Sequence, residues 1–215
     1  LGFVSKNKVG KGINLHEFRN DILEYLKAIK LQIKNKKASD ETVPILQDID
    51  KPSKADFLVF AGSAGSLEPL EQIVKKIPFF NIPIIIAIHM PVGVDEFFIN
   101  RLNKYYAANS CEMKISNDGK LSTNKITMLK GGHDANFSMT SDTLSIHHSI
   151  PQVERLFTPD INNLLKEVAE RNKLCDVVIL SGLCSDACEG SKVHKENGGL
   201  IFVQDPHTAI AKTMP

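Results

Sequence analysis

The sequence predicts an α/β fold: a doubly wound, mostly parallel sheet with helices on both faces and a β-hairpin decoration. Three observations predict it. From Asp56 onward, short apolar runs alternate with longer segments of helical character. The runs are continuously apolar rather than alternating, which marks strands buried on both faces. A polar loop follows each of the first three runs before the next helical segment, as in successive βα units.

In chain order, Asn14 with Glu17 three residues later forms a capping box. Leu15, Phe18, Ile22, Leu26, Ile29 and Ile33 then recur at three- and four-residue steps, so a helix with one apolar face is expected there. Residues 36–54, with Ser39, Asp40, Glu41, Pro44 and Pro52, read as a polar linker. Phe57–Phe60 is a buried strand that runs into Ala61-Gly62-Ser63-Ala64-Gly65-Ser66. A helix over Leu67–Lys76 follows, with Pro69 in its first turn. Ile84–Ile88 is a second strand ending at His89, and a helix is expected from Val94 to Tyr106. Cys111–Ser149 contains Asn117-Asp118-Gly119 and Gly131-Gly132 turns between short β-like runs, expected as hairpins. Asp160–Asn172 is helical, Val177–Leu180 a third strand, and a Gly-Leu-Cys-Ser-Asp loop and another helix lead to Leu200–Val203.

The 215 residues suit one α/β domain with extra material, or one domain and part of another. A net charge of +1 offers no field for nucleic acid or an anionic membrane. The first 40 residues are more basic, with nine Lys/Arg against four Asp/Glu. Cys111, Cys175, Cys184 and Cys188 contain no CxxC pair and read as reduced thiols of a cytoplasmic protein. No His/Cys spacing suits zinc, so no metal is expected. Chemistry at a serine hydroxyl needs no cofactor, and none is expected. Ile82–Ile88 is too short to span a bilayer. With Leu1 at one end and Met214-Pro215 at the other, both ends are expected to continue in a longer protein.

Three polar residues directly follow buried strands or lie in the loop after one: Ser63, His89 and Asp186. In a parallel sheet such loops open onto one edge. A serine hydroxyl needs a base to take its proton, and the base needs a carboxylate to fix its tautomer and stabilise the imidazolium. A serine-to-helix turn adds free backbone N–H groups for an oxyanion. Taken singly, Ser63 and Asp186 read as caps of the helices after them, and His89 as a satisfied histidine. Three suitable residues at three strand ends favour the joint reading. Two alternatives stand beside it: a catalytically impaired binding module, and a dinucleotide-binding oxidoreductase built on Gly62-x-x-Gly65. The latter lacks the acidic residue at the second strand end that would hold a ribose.

The segments Phe60-Ala61-Gly62-Ser63-Ala64-Gly65-Ser66, Ile88-His89-Met90-Pro91-Val92-Gly93 with Phe98 and Arg101-Leu102-Asn103, Leu180-Ser181-Gly182-Leu183-Cys184-Ser185-Asp186, and Gln204-Asp205-Pro206 occur in this order. Together they resemble the chemotaxis protein-glutamate methylesterases (CheB), over about Asp56 to Pro215. The resemblance implies Ser63 as nucleophile, His89 as base, Asp186 as orienting carboxylate, and backbone N–H groups near Ala64 and Leu183 as the oxyanion hole. It implies hydrolysis of γ-glutamyl methyl esters, and deamidation of glutamines, on the cytoplasmic helices of chemoreceptors. It further implies residues 1–35 as the tail of a receiver domain: Gly2–Lys6 looks like that domain's last strand with its lysine. Residues 55–215 would then be the catalytic domain, shortened at its C-terminus. A histidine kinase would be the partner of the missing receiver, and the apolar helix from Leu15 offers a route to self-association. The sequence departs from the family at Ala64 and Ser66 beside the nucleophile and at Ala187 after the aspartate. Lys130-Gly131-Gly132-His133 echoes a family stretch only loosely, and His133 receives no role.

Overall fold

The computed structural model describes residues 54–76, 82–140, 143–153, 155 and 157–215. The expected helix from Leu15, the receiver tail and the linker up to Ser53 lie outside the described residues. The elements are β1 (Phe57–Gly62), α1 (Leu67–Val74), β2 (Ile84–Ile88), α2 (Val94–Ala108), β3 (Lys114–Ser116), β4 (Lys125–Met128), β5 (Asp134–Thr140), β6 (Thr143–Ser149), α3 (Ile161–Glu170), β7 (Cys175–Ile179), α4 (Cys188–Glu196) and β8 (Ile201–Val203). Six strands form one parallel sheet in the order β3-β4-β2-β1-β7-β8, and β5 with β6 makes a separate antiparallel hairpin.

Two apolar layers sandwich the sheet because strand side chains alternate between faces. Leu58 and Phe60 of β1, with Ile84, Ile86 and Ile88 of β2, pack beneath Leu70 and Val74 of α1 and Phe98 and Leu102 of α2. Phe57, Val59 and Ala61, with Ile85 and Ala87, face Ile161, Leu164, Leu165 and Val168 of α3 and the hairpin's Phe137 and Ile146. This two-sided burial explains why the strands read as unbroken apolar runs.

Three expectations need correction. β1 extends two residues past Phe60, because Ala61 and Gly62 stay paired with Ala87 and Ile88. β7 begins at Cys175 rather than Val177. Its buried Asp176, which had masked the start of the strand, accepts the Leu200 N–H at 2.8 Å. The larger difference is that β3 and β4 are parallel strands of the main sheet rather than a hairpin. Ile115, Ile126 and Met128 join the α1/α2 layer, a burial that a detached hairpin would not provide. The Asn117-Asp118-Gly119 turn is the crossover between them, and Asn117 Nδ2 ties it back to Met128 O at 2.7 Å.

Polar contacts fix the helices in place. Tyr106 of α2 donates its hydroxyl to Val74 O at 2.6 Å, satisfying a carbonyl at the end of α1. The hairpin docks on α3 through Phe137 N–H to Glu167 at 3.0 Å and Arg171 to Phe137 O at 2.7 Å. In α4 the fully buried His194 donates from Nε2 to Leu165 O at 2.8 Å and accepts the Cys175 N–H on Nδ1 at 3.3 Å. One imidazole thus joins α4, α3 and β7, and the acceptor role of Nδ1 towards the Cys175 N–H requires its neutral form.

Burial pushes the His194 imidazole down, although the Leu165 carbonyl and the Asp176 carboxylate oppose it. The unfolded chain therefore takes up a proton near pH ~6.5 that the folded chain refuses. Stability is complete above that pH and falls as the pH drops below it. His194→Asn is expected to cost about 1–3 kcal/mol at neutral pH. The loss on acidification should shrink in the variant, and urea midpoints at several pH values would measure both effects.

Candidate active site

Ser63 follows β1 directly and His89 follows β2, and the register of these strands ends at Gly62 opposite Ile88. The next hydrogen bond, His89 N–H to Gly62 O at 3.0 Å, keeps the two chains in step and sets His89 beside Ser63. Asp186 arrives from the loop after β7, which pairs with the other edge of β1. Three neighbouring strands thus deliver three residues to one sheet edge.

The joint between the last two is direct. His89 Nε2 lies 2.8 Å from Asp186 Oδ2. Asp186 Oδ2 also accepts the Ile161 N–H at 2.9 Å, while Oδ1 accepts Asn162 N–H and Ala187 N–H at 2.8 Å each. Ile161 and Asn162 open α3, whose N–H groups there have no partner within the helix. The carboxylate therefore occupies the positive end of α3. Asp160, the N-cap, takes the next donor, Asn163 N–H, at 2.8 Å. Asp186 does cap a helix, but the preceding one in the chain rather than the one that follows it. Burial alone would push its carboxyl up, yet the bonds from His89, Ile161, Asn162 and Ala187 prevail and hold it below the usual range.

Those four donors also fix the histidine tautomer. An ionised carboxylate only accepts, so Nε2 carries the proton and Nδ1 of the neutral ring keeps its lone pair. Nδ1 is thus the basic atom. The Ser63 hydroxyl makes no hydrogen bond to it in this arrangement. The Cys184 sulfur lies 3.6 Å from Nδ1 instead. Phe157 covers the ring face, with centroids 5.2 Å apart and planes 30° from parallel. The His89 side chain is only 4 % exposed, so water reaches it poorly.

The turn that carries Ser63 is held from below by Ser181. Ser181 O accepts the Ser63 N–H at 2.9 Å, and its hydroxyl donates to Ala64 O at 2.7 Å. Ser181 also accepts Ala211 N–H at 2.9 Å. Ser63 does not cap α1. The N-cap is Ser66, whose fully buried hydroxyl turns back onto Ser63 O at 2.6 Å. Ser66 fits there because Gly62 lacks a Cβ, which would stand 2.6 Å from the Ser66 Cβ. Gly182 similarly leaves room for Ser63, since a Cβ there would approach the Ser63 Cβ to 2.9 Å. Among the described residues no backbone carbonyl takes the Ala64 or Leu183 N–H. Among them also, no group of three or more His, Cys, Asp or Glu is placed to hold a metal ion.

Residues 58–215 match the family model described as CheB methylesterase. The chain belongs to the CheB methylesterase family. It is 24% identical over 223 residues to the protein-glutamate methylesterase/protein-glutamine glutaminase of Halalkalibacterium halodurans, covering 100% of this chain and 62% of the relative. It is 30% identical over 165 residues to the enzyme numbered 1 under the same name in Oleidesulfovibrio alaskensis, covering 74% of this chain and 43% of the relative. The chain thus spans roughly half the length of these relatives. The crystal structure of the Thermotoga maritima CheB methylesterase catalytic domain superposes with a TM-score of 0.65 at 22% identity. That match covers 76% of this chain and 86% of the other, and it shows a shared fold. Membership in the CheB family sets aside the dinucleotide-binding reading of Gly62 and Gly65.

Within this CheB-type framework, sequence reasoning placed Ser63, His89 and Asp186 at one sheet edge but missed Ser181, Asn162, Phe157 and Cys184. Ser181 and Cys184 lay within a matched segment, next to residues already singled out. Asn162, which receives Gly190 N–H at 2.8 Å, and Phe157 carried no pattern that separates them from ordinary helix and loop residues.

Ala187 is fully buried and adopts φ 71°, in the left-handed region. Its N–H bond to Asp186 helps to hold it there. Left-handed backbone costs a residue with a Cβ roughly 1–2 kcal/mol, while burial of its methyl contributes about 0.8 kcal/mol. Ala187→Gly should therefore change stability by no more than about 1 kcal/mol. A urea midpoint that falls by more would show that the methyl, rather than the backbone angle, dominates this position.

Proposed function

We propose that this chain is a serine hydrolase that demethylates γ-glutamyl methyl esters, and deamidates glutamines, on the cytoplasmic helices of chemoreceptors. The observation that carries the proposal is the His89–Asp186 bond, with Nδ1 left as acceptor at the edge where Ser63 emerges. His89 takes the Ser63 proton on Nδ1 as the serine oxygen attacks the ester carbonyl. The oxyanion is received by the Ala64 and Leu183 N–H groups. Methoxide leaves with the proton from His89, giving methanol and an acyl-enzyme. His89 then draws a proton from water, which releases the carboxylate and restores Ser63. Glutamine side chains follow the same course with ammonia as leaving group.

For this cycle the Cys184 thiol must yield Nδ1 to the Ser63 hydroxyl. The names of the relatives support the substrate class. Leu183, Val92 and Phe157 remain exposed around the site, an apolar rim suited to one face of an amphipathic helix. No helix among the described residues is long and apolar enough to cross a membrane. We place the protein in the cytoplasm, with residues 1–35 as a receiver tail, 36–54 as linker and 55–215 as the catalytic unit. A histidine kinase would act through the rest of the receiver. Self-association would use the helix from Leu15.

A serine-directed phosphonate should label Ser63. Ser63→Ala and His89→Ala should each abolish methanol release from methylated receptor, and the double variant should be little worse than either. Persistent release from Ser63→Ala would refute the nucleophile assignment.

Asp186→Asn should lower turnover by about 10⁴-fold, since the base loses the partner that fixes its tautomer. The assay is initial-rate methanol release. Because Asp186 also caps α3, a concurrent stability loss is expected. Turnover should therefore be compared below the variant's melting transition.

The full chain and a chain starting at Asp56 differ by the segment in which the sequence predicts a helix from Leu15. Light scattering should give a larger mass than monomer for the full chain alone. Equal monomer masses at high concentration would exclude self-association by that helix.

A further inference from the structure

The mechanism leaves unused a nucleophile that touches its base. Cys184 is half-buried in the loop between β7 and α4, with its sulfur 3.6 Å from His89 Nδ1. This is within hydrogen-bonding range for sulfur, and the lone pair on Nδ1 makes the thiol the donor. On the far side of the same ring stands Asp186, 2.8 Å from Nε2. Thiol, imidazole and carboxylate therefore form a complete relay, while the Ser63 hydroxyl is outside it in this arrangement.

We propose that Cys184 is a second acyl acceptor of this site, using His89 as its base and taking acyl groups from thioesters and aryl esters. The inference rests on the reading of His89 and Asp186 as base and orienting carboxylate.

The chemistry divides substrates between the two nucleophiles. Attack by sulfur gives a tetrahedral intermediate from which the better leaving group departs. Against unprotonated methoxide the Cys184 thiolate leaves first, so transfer from a methyl ester requires His89 to protonate the departing oxygen. Against a thiolate or phenolate of similar or lower basicity, the acyl group stays on Cys184. Activated acyl groups need no such protonation and are therefore the substrates most open to Cys184.

The step is balanced. The Cys184 proton passes to His89 Nδ1 as the S–C bond forms. The carbonyl bond to the leaving thiol or phenol breaks, and that group either takes the proton from His89 or departs as its anion while His89 gives the proton to solvent. Water, deprotonated by His89, then cleaves the acyl-cysteine to a carboxylate and the free thiol.

Burial pushes the Cys184 thiol up, and the Asp186 charge adds to this against the Asp186 N–H, which draws it down. The group rests as a neutral thiol, so its reactivity depends on transfer of the proton to His89 rather than on a standing thiolate. That dependence separates it from an ordinary exposed cysteine.

The test uses the full chain with Ser63→Ala and p-nitrophenyl acetate. Nitrophenol release should persist, with one acetyl group on the peptide that carries Cys184. Ser63→Ala/Cys184→Ala should lose the adduct. Ser63→Ala/His89→Gln should form it slower by about 10²-fold or more, the scale of general-base catalysis. Ser63→Gly, run in parallel, gives the same readout should alanine disturb the turn. An adduct absent from Cys184 in both serine variants overturns the inference, as does one whose rate ignores His89. Phosphonate labelling of the unmodified chain keeps the two readings apart. If Ser63 is labelled while Cys184 stays unacylated in the serine variants, only this inference fails. If Ser63 is unlabelled, the serine mechanism fails, whatever Cys184 does.

Discussion

Four donors converge on the two oxygens of Asp186, and the arrangement of the site depends on that convergence. Three are backbone N–H groups and the fourth is His89 Nε2. A buried carboxylate with fewer partners would tend to take up a proton, and the proton would then compete for the imidazole bond. Here the carboxylate stays ionised and leaves Nδ1 as the basic nitrogen. The constraint acts in both directions. The first turn of α3 needs an acceptor for its free N–H groups, and Asp186 supplies it, so seating the helix and orienting the base are a single interaction. A group removed from either side exposes the other.

The Ser63 turn has the same economy. Its amide is bound to Ser181 O, the next carbonyl along to Ser181 Oγ, and its own carbonyl to Ser66. Ser181 reaches on to Ala211, so residues at the far end of the described chain help to support the nucleophile turn. Neutral hydrogen bonds of this kind contribute about 1 kcal/mol each, but leaving a buried donor or acceptor unmet costs more. The turn is therefore held by the penalty for breaking contacts as much as by the contacts themselves.

Much of this was legible in the sequence because parallel sheets bury both strand faces. Phe57–Phe60 and Ile84–Ile88 had to be central strands, and the polar residues at their ends had to meet at one edge. What stayed hidden depends on partners distant in sequence. Lys114–Ser116 and Lys125–Met128 are too short to reveal whether they pair parallel or antiparallel, and the Asn117-Asp118-Gly119 turn argued for a hairpin. Asp186 looked like a cap for α4, since a sequence cannot show that α3's N-terminus lies closer to its oxygens. Cys184 and Phe157 touch His89 across 95 and 68 positions of sequence, and no local pattern encodes such contacts.

The Phe157 ring over His89 gives the site a built-in reporter. Protons held above a benzene face feel the opposing field of its circulating electrons and resonate upfield. The imidazole carbon-bound hydrogens should therefore stand apart from those of the chain's other histidines in a magnetic resonance spectrum. A shift in the position of the ring, or the departure of Phe157 as a substrate enters, would move them towards ordinary frequencies. The aromatic cover that keeps water from the base thus also makes its motions visible without an added label.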